Sequence, residues 1–157
     1  MNWHKNEFTI SDEKNLLNKD YIHDYLSNKS YWAENIPEEI VAKSIEGSCC
    51  FGIYHNEKQD LLDGSQVGFA RVITDKATFG YLADVFIDEA YRRRGLAKWL
   101  MEIIMAHPEL QGFRVWMLTT RDAHSLYAKF GFAQLENPQR VMRKAIPDVY
   151  AKKSSSK

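Results

Sequence analysis

No run of apolar residues in this 157-residue chain approaches the roughly 20 needed to cross a bilayer as a helix, which excludes a membrane-spanning role on that ground. The opening residues, MNWHKNEF, put His4, Lys5 and Glu7 where a secretory leader would have its apolar core, so a cytoplasmic location is expected. Cysteine is scarce. Cys49 and Cys50 are adjacent, and neighbours on a strand point to opposite faces, which argues against a disulfide and leaves two buried, inert thiols as the expectation. The five histidines are scattered and match no metal-ligand spacing, so no metal site is expected. Net charge is also lacking: 21 lysines and arginines balance 21 aspartates and glutamates. A global field toward nucleic acid or acidic membranes is therefore absent, and any polyanion site must be local. Neither an internal repeat nor a linker is visible.

What is present fits one folded domain. The 45% hydrophobic and 27% charged residues are ordinary for a globular protein of a length that buries a real core. A domain over residues 1–148 is expected, followed by a disordered tail over 149–157 that ends AKKSSSK. Phe8, Thr9 and Ile10 suggest a short first strand. Tyr21, Ile22, Tyr25 and Leu26 recur at helical spacing behind Asn18 or Asp20 as a cap. Pro37 opens a second helix, Glu38 to Ile45, closed by Gly47. Strands are expected over Cys49–Tyr54 and Gln66–Thr74, joined by a polar hairpin connection, with a bulge at Gly68. Another strand follows over Phe113–Leu118. A helix capped by Thr120 or Asp122 then runs through Phe130, and Phe132–Leu135 and Val141–Lys144 are expected as closing strands around Asn137-Pro138.

Between these elements lies the stretch that organises the rest, Phe79 to Met105. Tyr81 to Ile87 is β-branched, aromatic and apolar, with one acid, Asp84, set into it. Arg92, Arg93, Arg94 and Gly95 lead into Leu96, Ala97, Leu100, Ile103 and Ile104, an apolar face at helical period that ends before Pro108. The first N–H groups of a helix have no partner inside it, and its dipole favours negative charge there. Arginines beside such a terminus suit a phosphate or diphosphate, and Gly95 has no Cβ to obstruct its approach.

Two motifs in that order carry a resemblance. Arg92-x-x-Gly95-x-Ala97, preceded by Val85-x-Ile87 and Tyr91, resembles the strand and Arg/Gln-x-x-Gly-x-Gly/Ala turn of the GNAT superfamily of acetyl-CoA-dependent N-acyltransferases. Ala123-His124-Ser125-Leu126-Tyr127-Ala128-Lys129-Phe130-Gly131-Phe132 resembles the family's A-x-x-x-Y-x-x-x-G-F ending. The element order is similar to the family's from Phe8 to Ile146. The resemblance implies an α+β fold, a mixed and mostly antiparallel central sheet with helices on both faces. It also implies that the central strand splays from the following parallel strand to admit the pantetheine arm. One position departs: where the family often has asparagine, seven residues before the tyrosine, this chain has Thr120.

The resemblance implies acetyl transfer from acetyl-CoA to a primary amine by direct attack, with no metal. A small-molecule amine is the expected acceptor; a protein lysine or N-terminus, and a non-catalytic CoA-binding module, are the alternatives. Arg92, Arg93, Arg94, Gly95, Leu96 and Ala97 would take the diphosphate. Main-chain groups of Val85, Phe86 and Ile87 would take the pantetheine and the oxyanion, and Thr120 would stand in for the asparagine. Tyr127 is the expected proton donor to the thiolate, since a phenol near pKa 10 is not far above a thiol, with a tyrosine packed under the sheet and its hydroxyl satisfied elsewhere as the alternative. Asp84 is expected either to bind or deprotonate the acceptor amine, or to be a structural acid paired with Arg71 or Arg114. Tyr31 and Trp32, with Tyr25, occupy the region that walls the acceptor site in the family. An aromatic wall there suits an apolar or cationic acceptor, with packing against the sheet as the alternative. His124, three residues before Tyr127 on the same helix face, is either a base or a partly exposed helix residue. No nucleic acid or membrane partner is expected, and dimers are frequent in the family, which leaves a homodimer open.

Overall fold

Six strands in chain order form one sheet in the computed structural model, which describes residues 1–56 and 65–151. They are β1 (Asn2–Lys5), β2 (Phe8–Ser11), β3 (Cys49–His55), β4 (Ser65–Thr74), β5 (Phe79–Ile87) and β6 (Val115–Leu118). Every neighbouring pair is antiparallel except β5 and β6, which run parallel. A parallel pair needs a crossover, and α3 (Leu96–Ala106) supplies it. The other helices are α1 (Lys19–Lys29), α2 (Glu38–Glu46) and the short α4 (His124–Ala128). The connection expected between β3 and β4 falls largely on residues 57–64, and most of the expected tail on 152–157; both lie outside the described residues. Tyr150, expected in that tail, is half-buried and packs against the core under α1 and α2.

The local signals explain these elements. Asn18 caps α1, its side-chain oxygen accepting from the Tyr21 amide at 3.0 Å. Glu38 and Glu39 sit in the first turn of α2, where the dipole favours them. The apolar stripe of α3 buries Leu96, Trp99, Leu100, Met101, Ile103 and Ile104 against one face of the sheet, with Ile10, Phe51, Ile53 and Val72. Ile22, Tyr25 and Leu26 of α1 and Val41 and Ile45 of α2 cover the other face, with Phe69 and Phe86. Helices thus lie on both faces, and the core is two layers divided by the sheet. Trp99 is core, as expected, and Trp116 lies over Gly80, where a Cβ would come within 2.8 Å of its ring.

Two bulges shape the middle of the sheet. The first, expected at Gly68, falls at Val67, between the pairs Gly68↔Ile53 and Gln66↔Tyr54. The second lies in β5: Phe86 faces Phe69 and Ala83 faces Arg71, so Asp84 and Val85 together oppose Ala70 alone. Strict alternation would send Leu82 and Ile87 to opposite faces. The extra residue brings both into the core under α3. Asp84 takes the bend, with a left-handed φ of 53°. Pairing between β5 and β6 stops at Leu82↔Leu118, so from Ala83 to Ile87 the β5 edge on that side has no strand beside it.

The expected closing strands are not strands. The helix expected through Phe130 is regular only to Ala128, and among the described residues nothing from Phe132 onward adds a strand to β6. Asn137-Pro138 does turn the chain, as a short 3-10 segment over Pro138–Arg140. Residues 133–149 are exposed without a break, among them Leu135, Val141, Met142, Ile146 and Val149. Apolar residues bounded by a turn read as strands in a sequence, but a strand needs a neighbour to bond to, and these residues make no ladder bonds among the described residues. The first strand was also incomplete in the sequence reading, since β1 pairs with β2 ahead of it.

Candidate active site

Where β5 parts from β6, three cavities meet at one side chain. The first, about 580 Å³, is lined by the turn before α3, the end of β5, α1 and the start of α4. Five of its lining residues are cationic, Lys29, Arg92, Arg93, Lys98 and Arg121, against the single carboxylate of Asp122. The second, about 470 Å³, lies on the other side of the bulge and is lined by Asp84, Arg71, Tyr81, Thr119, Thr120 and Arg143, among others. Tyr31, Trp32, Val85, Asp122, Ala123 and Tyr127 border both, so the two form one cleft through the sheet. The third, about 590 Å³, is a mostly apolar groove along β6 and α4. Tyr127 alone lines all three among the described residues.

The turn at the first cavity is built by local backbone. Arg93 and Gly95 both adopt left-handed conformations, φ 64° and 75°. An ideal Cβ on Gly95 would meet no atom within 4 Å, so glycine is required there by backbone angle rather than by crowding. The α3 N-terminus has no side-chain cap, and among the described residues the amides of Leu96, Ala97 and Lys98 have no partner in the chain. The three arginines divide. Arg92 is committed inward: it donates to the Ile87 carbonyl at 3.2 Å and the Tyr25 hydroxyl at 3.0 Å. Tyr25 in turn stacks on Phe86, centroids 3.8 Å apart and rings 4° from parallel, so the turn is tied to both α1 and β5. Arg94 lies 5.3 Å from the Tyr91 ring and 4.0 Å from Glu7. Arg93 has no ion pair among the described residues and lines the cavity.

The second cavity is ordered by long-range contacts. Asp84, its side chain 9% exposed, accepts from Arg71 Nε at 2.5 Å on one oxygen and from Trp32 Nε1 at 2.8 Å on the other. Of the two partners expected for a structural acid it has Arg71, which also donates to Ser48 Oγ. Tyr31 accepts the Arg121 amide at 3.1 Å, and the Arg121 guanidinium lies 3.8 Å from the Tyr31 ring. The loop after α1 therefore straps the cleft at two points, to β5 through Trp32 and to the β6–α4 loop through Tyr31. Both aromatic rings remain partly exposed to it. Thr120 borders this cavity and the apolar groove but not the cation-rich one, and its hydroxyl accepts from the Ala123 amide at 3.0 Å. His124 is exposed and faces the groove.

Tyr127 is buried, and that burial, followed by the nearby Tyr31 and Asp122, pushes its phenol up to about 12. Its hydroxyl has no partner among the described residues yet is not sealed from solvent. It is a neutral acid, free to donate, at the junction of the cleft. The cysteines offer no rival nucleophile: burial raises both, Cys50 to about 12. No group of three or more His, Cys, Asp or Glu side chains able to hold a metal is found among the described residues.

The sequence reading thus brought Val85, Phe86, Ile87, Arg92, Arg93, Gly95, Leu96, Ala97, Tyr31, Trp32 and Tyr127 to the same cavity. It missed Lys29, Lys98 and Arg121 as cavity residues. Lys98 carried a signal, since it stands in the first turn of α3; Lys29, at the far end of another helix, carried none.

Comparison with known proteins agrees with this geometry. A family model described as an acetyltransferase (GNAT) domain matches residues 31–134, about two-thirds of the chain. A presumptive acetyltransferase of Gibberella zeae is 32% identical over 139 residues, covering 78% of this chain and 77% of its own. The crystal structure of a presumptive acetyltransferase of the GNAT family from Xanthomonas campestris pv. campestris is 43% identical. It covers 95% of this chain and 100% of its own, with a TM-score of 0.86. Glucosamine-6-phosphate N-acetyltransferase of Arabidopsis thaliana, 18% identical, shares the fold with a TM-score of 0.62, covering 90% of this chain and 99% of its own.

Proposed function

This chain belongs to the GNAT acetyltransferase family, and from that premise we propose that it moves the acetyl group of acetyl-CoA to a primary amine of a small molecule. The observation that carries the reading is the cleft itself. A cation-rich cavity under helix amides runs to a neutral Tyr127, the amides and the phenol having no partner among the described residues, and continues past it into an aromatic-walled cavity of different character.

In this reading the amides of Leu96, Ala97 and Lys98 and the side chains of Arg93 and Lys98 take the diphosphate, with Arg94 at the rim. Arg92 holds the turn in shape through Tyr25 and Ile87. The open edge of β5, Val85 to Ile87, offers main-chain groups to the pantetheine amides and to the oxyanion. Thr120 keeps its own O–H to donate, although its place supports a role on the acceptor side. The acceptor nitrogen attacks the thioester carbon, the carbon–sulfur bond breaks, and the Tyr127 hydroxyl protonates the departing sulfur while the nitrogen releases its proton to water. A phenol at about 12 is a weak donor to a thiolate whose ordinary value is near 8.5. The burial that raises the phenol also raises a thiolate placed beside it, which narrows the gap.

Asp84 contributes as a fixed acid that orients Arg71 and the Trp32 ring, leaving Tyr31 and Trp32 to receive the amine by packing or cation–π contact. We place the reaction in the cytoplasm, where acetyl-CoA and amine metabolites meet. The test is thiol release from acetyl-CoA across an amine panel, run beside melting with CoA. A CoA-dependent rise in melting temperature with thiol release for some amine supports the enzyme. A rise with no release for any amine makes it a binding module, and no rise overturns the assigned cofactor cleft.

A further inference from the structure

The acceptor half of the cleft has a charge pattern of its own. Among the described residues, the charged side chains that line it are Arg71, Asp84, Asp122 and Arg143. Arg71 and Asp84 are largely buried and cancel one another in direct contact. Asp122 and Arg143 are exposed at the margin, and neither side chain has an ion pair or a hydrogen bond among the described residues. They do not share a position. Asp122 borders the cation-rich cavity as well, together with Tyr127, whereas Arg143 borders the acceptor cavity alone of the three. One open carboxylate thus stands at the thioester end, and one open guanidinium stands on the acceptor side only.

Two hydroxyls stand on the wall of the same cavity. Thr119 accepts from the Tyr81 hydroxyl at 3.0 Å and Thr120 from the Ala123 amide at 3.0 Å, so each keeps its own O–H for a ligand. The stretch that carries Arg143 is held on either side of it: Val141 lies against the β6 groove, and Tyr150 packs under α1 and α2. The remaining wall is apolar and aromatic, with Trp32, Ile36, Ile73 and Tyr150.

We propose that the acceptor is a small amino acid with an apolar or aromatic body, its amine placed at Asp122 and Tyr127 and its carboxylate on Arg143 with Thr119 and Thr120. This substrate class rests on the acetyl transfer proposed above. A guanidinium presents a planar fork that matches a carboxylate with two parallel hydrogen bonds. One uncompensated cation also matches the single charge of a carboxylate, whereas a phosphate monoester brings close to two. A polyamine would set its second ammonium against Arg143, and a plain amine would leave that cation without a partner. With two cations and two anions on its wall, the cavity suits a ligand that is itself a zwitterion. Its volume of about 470 Å³ is that of a site for a small molecule. The reaction balances: the nitrogen sheds two protons to water in passing from ammonium to amide, and the sulfur takes one from Tyr127, which recovers its own from water. The product keeps its carboxylate but has no ammonium for Asp122, which favours its release.

The test compares acceptors of one body, phenylalanine, its primary amide and phenethylamine, by thiol release from acetyl-CoA. A panel of other α- and ω-amino acids and an amine phosphate run beside them. An amino acid is expected to exceed its own amide in kcat/KM by about ten- to a hundredfold, the usual worth of hydrogen bonds to a charged group. Arg143→Gln should erase that ratio through KM while the melting shift with CoA stays, and Arg143→Lys should restore part of it. An amide or plain amine that serves as well as its acid overturns the proposal. So does a preference for the amine phosphate, or an Arg143→Gln protein that keeps the ratio. Calorimetry of the same acids into CoA-saturated protein reads the site without turnover. Binding that Arg143→Gln abolishes, with no thiol release from any acceptor, would sink the acetyl transfer and leave the amino acid site standing. Release from plain amines with no acid bound would do the reverse, and neither binding nor release overturns both.

Discussion

The two halves of the cleft handle polar groups in opposite ways. At the turn before α3, amides and cations are left open: Leu96, Ala97 and Lys98 have no acceptors, and Arg93 has no ion pair among the described residues. Across the bulge the polar groups of the central residues are engaged. Asp84 has donors on both oxygens, Tyr31 holds the Arg121 amide, Tyr81 donates to Thr119, and Thr120 accepts from Ala123. The open half suits a ligand part that is always the same and always anionic. The engaged half is a preorganised surface, whose shape and rings do the selecting. Tyr127 stands where the two meet.

Removing that meeting point should have the largest effect. Tyr127→Phe keeps the ring and its packing with Phe132 but deletes the donor. Thiol release is expected to fall by about 10²–10⁴, the usual worth of a general acid, with the CoA melting shift intact. If the rate falls less than about threefold, another group supplies the proton and the division of the cleft loses its centre.

Breaking the engaged half comes next. Asp84→Ala leaves Arg71 buried without its counter-charge and releases Trp32, and it should cost about 3–5 kcal/mol of stability. CoA affinity, set in the other half, should change little. Asp84→Asn should cost clearly less, because asparagine tolerates the left-handed backbone at 53° and can still accept from Trp32. Equal losses for Ala and Asn would mean that neither backbone nor Trp32 matters there.

How much of this was legible follows the same division. The open half is nearly contiguous in sequence: turn, glycine and helix stripe lie within Arg92–Ile104, and their spacing carries their physics. The engaged half is assembled from residues 52 and 90 positions apart, Trp32 with Asp84 and Tyr31 with Arg121, and no local pattern encodes such pairs. Asp84 stood out as an acid in an apolar run, and Arg71 was one of two partners considered. The bulge that turns it had no glycine to announce it. The closing strands failed for a third reason: Val141 and Met142 have the composition of a strand, but composition does not supply the neighbour that a ladder needs.

Alkaline pH tests the junction from the side of stability. Burial raises the Tyr127 phenol from 10 in the unfolded chain to about 12 in the fold, so the folded state holds that proton more tightly. Its contribution is complete below pH 10 and is lost as pH climbs toward 12, at most about 3 kcal/mol for two units. Tyr127→Phe should therefore flatten part of the fall in melting temperature above pH 10. Tyr21 and Tyr54, also raised by burial, keep the rest of the slope. Identical alkaline profiles for wild type and variant would show that Tyr127 is not held neutral by the fold.

The smallest expected effect separates backbone from charge in the open half. Gly95 has φ 75° with free space where a Cβ would be, so a substitution there is opposed by the backbone angle and not by a clash. Gly95→Ala should cost about 1–2 kcal/mol, and Gly95→Asn less, since asparagine enters the left-handed region more readily. If the strain is relieved by tilting the first turn of α3, the amides of Leu96 to Lys98 turn away and CoA affinity falls up to about tenfold for Ala. Arg93→Gly runs the control in reverse. Arg93 carries its own left-handed φ of 64°, so glycine relaxes the backbone while removing a cation. Melting without ligand should hold steady or rise, and CoA affinity should fall with a weaker dependence on salt. Opposite signs for stability and affinity at Arg93, against the same sign at Gly95, would establish that the turn's shape and its charge act on the diphosphate separately.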